Sequence, residues 1–168
     1  ALPAPFVPVA EHETTLQDFD PPQGGYDIVW ATHALYAIPA AEMPAAMARF
    51  RAAIAPGGIG VIAHSAADGH YIDFHRRYLA AFGPADAAPY VPADVIVEAL
   101  RATGATVETA TVAYDSVAGP DDTDAVEGYL QRCVFDTGAS LAQMQAAPPL
   151  DAYLATCSGP KGWRFPQR

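Results

Sequence analysis

Five side chains able to ligate a metal or move a proton, His64, Asp68, His70, Asp73 and His75, fall within twelve positions of one another. A metal centre needs ligands that converge. The run contains neither an H-x-x-x-H pair for one helix face nor a two-histidine, one-carboxylate order, so no metal is expected there. Another histidine, His33, closes an apolar run, and Tyr36 follows three residues later. An imidazole at a strand end can orient or deprotonate an amine, or it can be a structural histidine hydrogen-bonded beneath a loop. Tyr36 could wall an acceptor pocket, although an aromatic there is as often ordinary core. Asp121, Asp122 and Asp124 could attract a cationic amine, but the start of a solvated helix accounts for them as well. Cys133 and Cys157 lie in no CxxC or zinc-type spacing and read as free buried thiols.

Elements must hold these groups in place. Phe6, Val7 and Val9 read as a strand end, followed by a polar loop to Pro21, Pro22, Gly24 and Gly25. In the segment from Tyr26 to Pro39 the first five residues are nearly all apolar and β-favouring, as expected of a strand buried on both faces of a parallel sheet. Met43, Met47, Phe50 and Ile54 recur at steps of three and four, which predicts a helix over Ala41 to Ile54. Pro56, Gly57 and Gly58 end it, and a second apolar strand runs from Ile59 to near Ser65. Strand, helix, strand is the order of a parallel crossover, half of a doubly wound sheet.

Further helices are predicted over Tyr71 to Phe82 and over Pro92 to Thr103. Thr106 to Tyr114, rich in Thr and Val, reads as a third strand. A helix with Val126, Leu130, Cys133 and Val134 on one side follows Thr123, and Thr137 to Arg168 reads as one short helix and an extended tail.

The 168 residues, 51% hydrophobic, suffice for one buried core. A net charge of -10 would repel a phosphate backbone, which excludes nucleic acid as the expected partner. No run nears the roughly 20 apolar residues that cross a bilayer, and the N-terminus carries no basic leader pattern, so no membrane partner is expected and the chain reads as cytoplasmic.

The stretch YDIVWATHALY, the helix after it and the turn APGGIGVIAHS resemble class I S-adenosylmethionine-dependent methyltransferases. In that family the region after the fourth strand reads F/Y-D-x-V, a helix, then L-x-P-G-G. The likeness covers residues 26 to 65. The region from His64 to Phe82 and the aspartate-rich loop before Glu127 resemble more particularly the histamine N-methyltransferase group. The resemblance implies an α/β fold with a Rossmann-like, mostly parallel methyltransferase sheet that lacks its first strands and its last strand. It makes residues 1 to 168 the C-terminal two-thirds of a single domain.

By the same resemblance the cofactor is S-adenosyl-L-methionine and the substrate a small-molecule methyl acceptor, an amine or similar metabolite. Thr14, Thr15 and Leu16 match the position that contacts the adenine ring, or form a surface turn with a hydroxyl cap. Ala31 and Thr32 match backbone that touches the cofactor's methionine portion. His33, Tyr36 and His64 would face substrate, and Phe74 matches an aromatic lent to the substrate pocket, with helical core as the competing account. No side chain is expected to be indispensable to catalysis, because the transferred methyl arrives activated.

The family's glycine-rich turn and its ribose-binding acid have no counterpart in the sequence. The family's last strand inserts beside the strand matched by Thr106 to Tyr114. Without it that strand would face a gap, so a fragment of a longer polypeptide, or strands lent by a second chain, is expected. The rival reading is a non-catalytic partner subunit that keeps the fold.

Overall fold

The computed structural model of the chain describes residues 7–168. The elements in chain order are β1 (Tyr26–Thr32), α1 (Met43–Ala52), β2 (Ile54–Ala63), α2 (His70–Phe82), α3 (Ala93–Ala102), β3 (Tyr114–Ala118), α4 (Thr123–Val134), α5 (Leu141–Ala146), α6 (Pro148–Cys157), β4 (Ser158–Gly159) and β5 (Gly162–Gln167). The class is α/β. Instead of one mostly parallel sheet, the described residues form two: a parallel pair, β1 and β2, and an antiparallel set in the order β3-β5-β4.

The crossover predicted from the apolar pattern is present, with α1 joining two parallel strands. The Pro-Gly-Gly turn differs in role. It lies inside β2, where Tyr26 pairs with Ile54 but Ile28 pairs with Ile59, so five steps on β2 match two on β1. Gly57, at φ +82, and Gly58 absorb the excess as a bulge, and backbone pairing continues on both sides of it.

One face of the parallel pair packs on α1 and α3 through Met43, Met47, Phe50 and Ile96. The other face is uncovered: Ile28 is 60% exposed, Trp30 67% and Ile59 57%. The expectation of a strand buried on both faces is thereby corrected. Apolar alternation shows that a side chain can be buried, while burial itself needs a covering layer, and no described element covers this face. The accessible surface of 10551 Å² agrees, since a compact chain of 17.6 kDa exposes roughly 7,900 Å².

A second core gathers α2, α4, α5 and α6 on β5, with Leu130, Met144, Leu154 and Phe165 at its centre. Ser140 starts α5 with a capping box to Gln143. Cys133 and Cys157 are free and buried in this core. Here the expected tail is two helices and a hairpin. Gly162, at φ +107, makes the turn possible, because a Cβ there would meet the Ala118 carbonyl oxygen at 2.2 Å.

Two further expectations are corrected. Val7 and Val9 are exposed and in no strand, and Phe6 lies outside the described residues. The strand expected over Thr106 to Tyr114 starts only at Tyr114, and residues 106–113 have no ladder partner among the described residues. A slot of about 420 Å³ separates them from β2, lined by Ile62, Ser65, Val107 and Thr111 among others. Extended preference alone cannot make a strand, because pairing needs a neighbour.

Candidate functional site

The carboxyl ends of β1 and β2 bring a group of aromatic and histidine side chains together. His33 follows β1, and its N–H donates to the Ala63 carbonyl at 3.0 Å, so the β1–β2 ladder runs one residue further. Its φ of +50 is unusual for a residue with a Cβ, and it turns the chain out of the sheet. The loop then returns Tyr36 across the end of β2. There the phenol oxygen lies 2.7 Å from His33 Nδ1, donates to Ser65 Oγ at 3.0 Å and accepts the Ser65 N–H at 3.2 Å. Burial raises the Tyr36 pKa above its usual value, so the phenol stays protonated.

His64 stacks against Tyr36 with ring centroids 3.9 Å apart. Its Nε2 is 2.7 Å from the Val91 carbonyl, an acceptor, so Nε2 carries the proton. Nδ1 is then a bare acceptor, and it is buried without a hydrogen-bond partner among the described residues. Burial lowers the His64 pKa, which keeps the ring neutral and that lone pair free. Tyr71, in the first turn of α2, stacks on Tyr36 at 4.7 Å, and Tyr90 approaches the same ring at 5.3 Å. His75 stacks on Tyr90 at 3.3 Å, and its Nδ1 accepts the Tyr90 N–H. Desolvation raises both tyrosine pKa values and lowers that of His75 to about 4, leaving these three rings neutral at physiological pH.

Beside this group runs a groove of about 430 Å³, lined by Thr15, Leu16, Val29, Ala31, Leu35 and Ile38 among others. The loop from Ala34 to Ile38 forms one wall of it, so the groove and the aromatic group share a loop. Three of the residues matched to a cofactor, Thr15, Leu16 and Ala31, thus line one concavity. Thr14 is exposed and does not line it. Thr32 lies on the uncovered sheet face, where its hydroxyl accepts from Trp30 Nε1. The Thr15 hydroxyl donates to Asp18 and closes a local turn.

Of the residues matched to substrate, His33, Tyr36 and His64 meet. Phe74 does not: it is fully buried in the helical core with Tyr78 and Leu130. A helical stripe gives spacing without direction, and the packing of α4 decided which way Phe74 faces. Ser65, Tyr71, Tyr90 and His75 join the group without having been assigned to it from sequence. Ser65 adjoins His64 and Tyr71 opens the α2 pattern, so the signal for these two was adjacency; Tyr90 lies in a loop that gave none.

The five acidic and histidine groups of the 64–75 run go separate ways. His70 is buried against Tyr153, Asp73 pairs with Arg76 and Arg77, and Asp68 pairs with Arg168. No three histidine, cysteine or acidic side chains converge as metal ligands among the described residues. No described helix is long and apolar enough to cross a membrane. In comparisons with known proteins, no family model matches the chain and no curated protein does so either.

Proposed function

We propose that the chain binds S-adenosylmethionine in the groove beside β1 and serves methyl transfer to a small amine or similar metabolite, on a Rossmann-like methyltransferase fold. The observation that carries this reading is the convergence of Thr15, Leu16 and Ala31 on one groove that shares its wall with the loop holding His33 and Tyr36. The lining suits such a cofactor, because Leu16, Val29, Leu35 and Ile38 give a flat aromatic base an apolar bed. When bound, the cofactor supplies a methyl carbon activated by a sulfonium, whose bonding pair returns to sulfur as the acceptor's lone pair takes the carbon.

The chain's own work is then to bind, orient, exclude water and receive a proton. Tyr36, Tyr71 and Tyr90 form an aromatic wall for the acceptor, and a cationic or neutral amine is attracted to such faces. Exposed His33 is the group placed to take the proton an amine releases.

Calorimetric titration with S-adenosylhomocysteine tests the reading, with saturable binding expected. A second reading, a non-catalytic methyltransferase-like partner subunit, is favoured by the uncovered apolar face of Ile28, Trp30 and Ile59. Absence of binding in the titration would select it.

A further inference from the structure

Ser65 is buried and fixed from both sides: its carbonyl accepts the Ala93 N–H at 3.0 Å, and its own N–H donates to the Tyr36 oxygen at 3.2 Å. The Tyr36 hydroxyl has a single proton, and it is directed to Ser65 Oγ at 3.0 Å. The opposite direction would aim both donors of Ser65, N–H and O–H, at one phenol oxygen, whereas in this one its two donors come from different residues, Ser65 and His33. With the phenol proton committed to Oγ, that oxygen can only accept from its other neighbour, His33 Nδ1, at 2.7 Å.

We infer that Ser65 is a positioning residue, which through the Tyr36 hydroxyl holds neutral His33 as the Nδ1–H tautomer and leaves Nε2 as the outward proton acceptor. His33 is held at its backbone while its ring is exposed. Its backbone is tied to Ala63 through the His33 N–H, and its φ of +50 fixes the direction in which the side chain leaves the strand end. Tyr71 lies on another side, with ring centroids 6.2 Å apart. This is the second-neighbour logic of general base sites, in which a group bonded to one ring nitrogen decides whether the other is a base. The inference rests on the methyl-transfer reading for its use, but the tautomer itself does not depend on any cofactor.

The experiment is nitrogen-15 NMR of histidine-labelled protein at mildly alkaline pH, with no ligand added and with His33 assigned by the loss of its signals in His33→Asn. In the parent chain the His33 pattern should be that of a protonated Nδ1 and a bare Nε2. Ser65→Ala keeps the backbone N–H but removes Oγ, so the phenol proton turns to Nδ1, the nearest acceptor left, and the two nitrogen shifts should exchange. Ser65→Thr restores a hydroxyl and should restore the parent pattern. A parent spectrum with Nε2 protonated overturns the inference, and so does a Ser65→Ala spectrum unchanged from the parent. The parent spectrum decides the first point even where a variant folds poorly. Failure to bind S-adenosylhomocysteine would fall on the methyl-transfer reading alone and leave these spectra as they are.

Discussion

The phenol oxygen of Tyr36 and the hydroxyl oxygen of Ser65 lie 3.0 Å apart, joining the loop after β1 to the end of β2 across 29 positions of sequence. Tyr36→Phe keeps the ring stacked on His64 and Tyr71 but strips the Ser65 N–H of its acceptor in a buried place. The expected loss is about 1–3 kcal/mol, the cost of an unsatisfied buried donor. Urea denaturation should show a lower midpoint at unchanged slope. An unaltered midpoint would mean that water reaches Ser65 freely.

The bulge in β2 makes a second, ordered expectation. A Cβ on Gly58 would stand 2.8 Å from the Asp27 carbonyl oxygen and 2.9 Å from that of Tyr26, both backbone atoms of the paired strand. Gly57 has open space around it, and only its φ of +82 opposes a side chain. Gly57→Ala should therefore cost about 1–2 kcal/mol. Gly58→Ala, which must push two strands apart, should cost more, about 2–3 kcal/mol. Thermal unfolding of the two variants ranks them, and the reverse order would place the strain elsewhere.

Helix α4 shows what sequence can convey: its spacing places Val126, Leu130, Cys133 and Val134 on one side, and all four are buried. A helix writes its own period, and the stripe is complete within one segment. Strand β5 carries an equally local alternation, with Trp163, Phe165 and Gln167 inward and Arg164 and Pro166 outward, yet six residues after a glycine turn read as tail. Other features are not local at all. Whether Pro-Gly-Gly ends a helix or bulges a strand depends on the register chosen by β1, and whether Trp30 is buried depends on what covers the sheet. The site divides the same way. His33, Tyr36 and His64 stand at strand ends, which an α/β pattern locates, whereas Phe74 and Tyr90 took their places from tertiary packing.

Ala34 offers a direct trial of the groove. It is exposed and lines the concavity beside Leu35, so Ala34→Trp should fill the space without disturbing the core. S-adenosylhomocysteine affinity in calorimetry should then fall by about tenfold or more, equivalent to about 1.4 kcal/mol. Affinity equal to that of the parent chain would move the cofactor off this groove.

His70 and His75 give the fold a defined sensitivity to acid. Burial lowers both pKa values from 6.5 to about 4. An unfolded chain protonates these rings as pH drops through 6.5, while the folded chain resists until about 4, so the unfolded state binds more protons in between. Their contribution to stability is full above pH 6.5, declines as pH falls towards 4, and is gone below it. The loss should be on the order of a few kcal/mol for the pair. His70→Phe keeps an aromatic ring against Phe74, Tyr129 and Phe165, and its stability should vary less between pH 6.5 and 4 than that of the parent chain. Parallel pH profiles for the two would show that His70 is solvated when folded.

Residues 106–113 lie beside β2 with the slot of about 420 Å³ between them, and in its lining the Ala66 N–H donates to the Arg168 carbonyl at 2.9 Å. Strand β5 thus ends against the β2 side of the slot while pairing β3 on the other, and the amides of 106–113 have no ladder to protect them among the described residues. Free backbone amides exchange hydrogen quickly, whereas those of Val29 to Ala31, inside the β1–β2 ladder, must wait for the sheet to open. Exchange followed by mass spectrometry should show residues 106–113 labelled at early times and the peptides of β1 and β2 late. Equal protection in both would mean that another strand pairs this edge in solution, as an unpaired backbone edge is able to accept one.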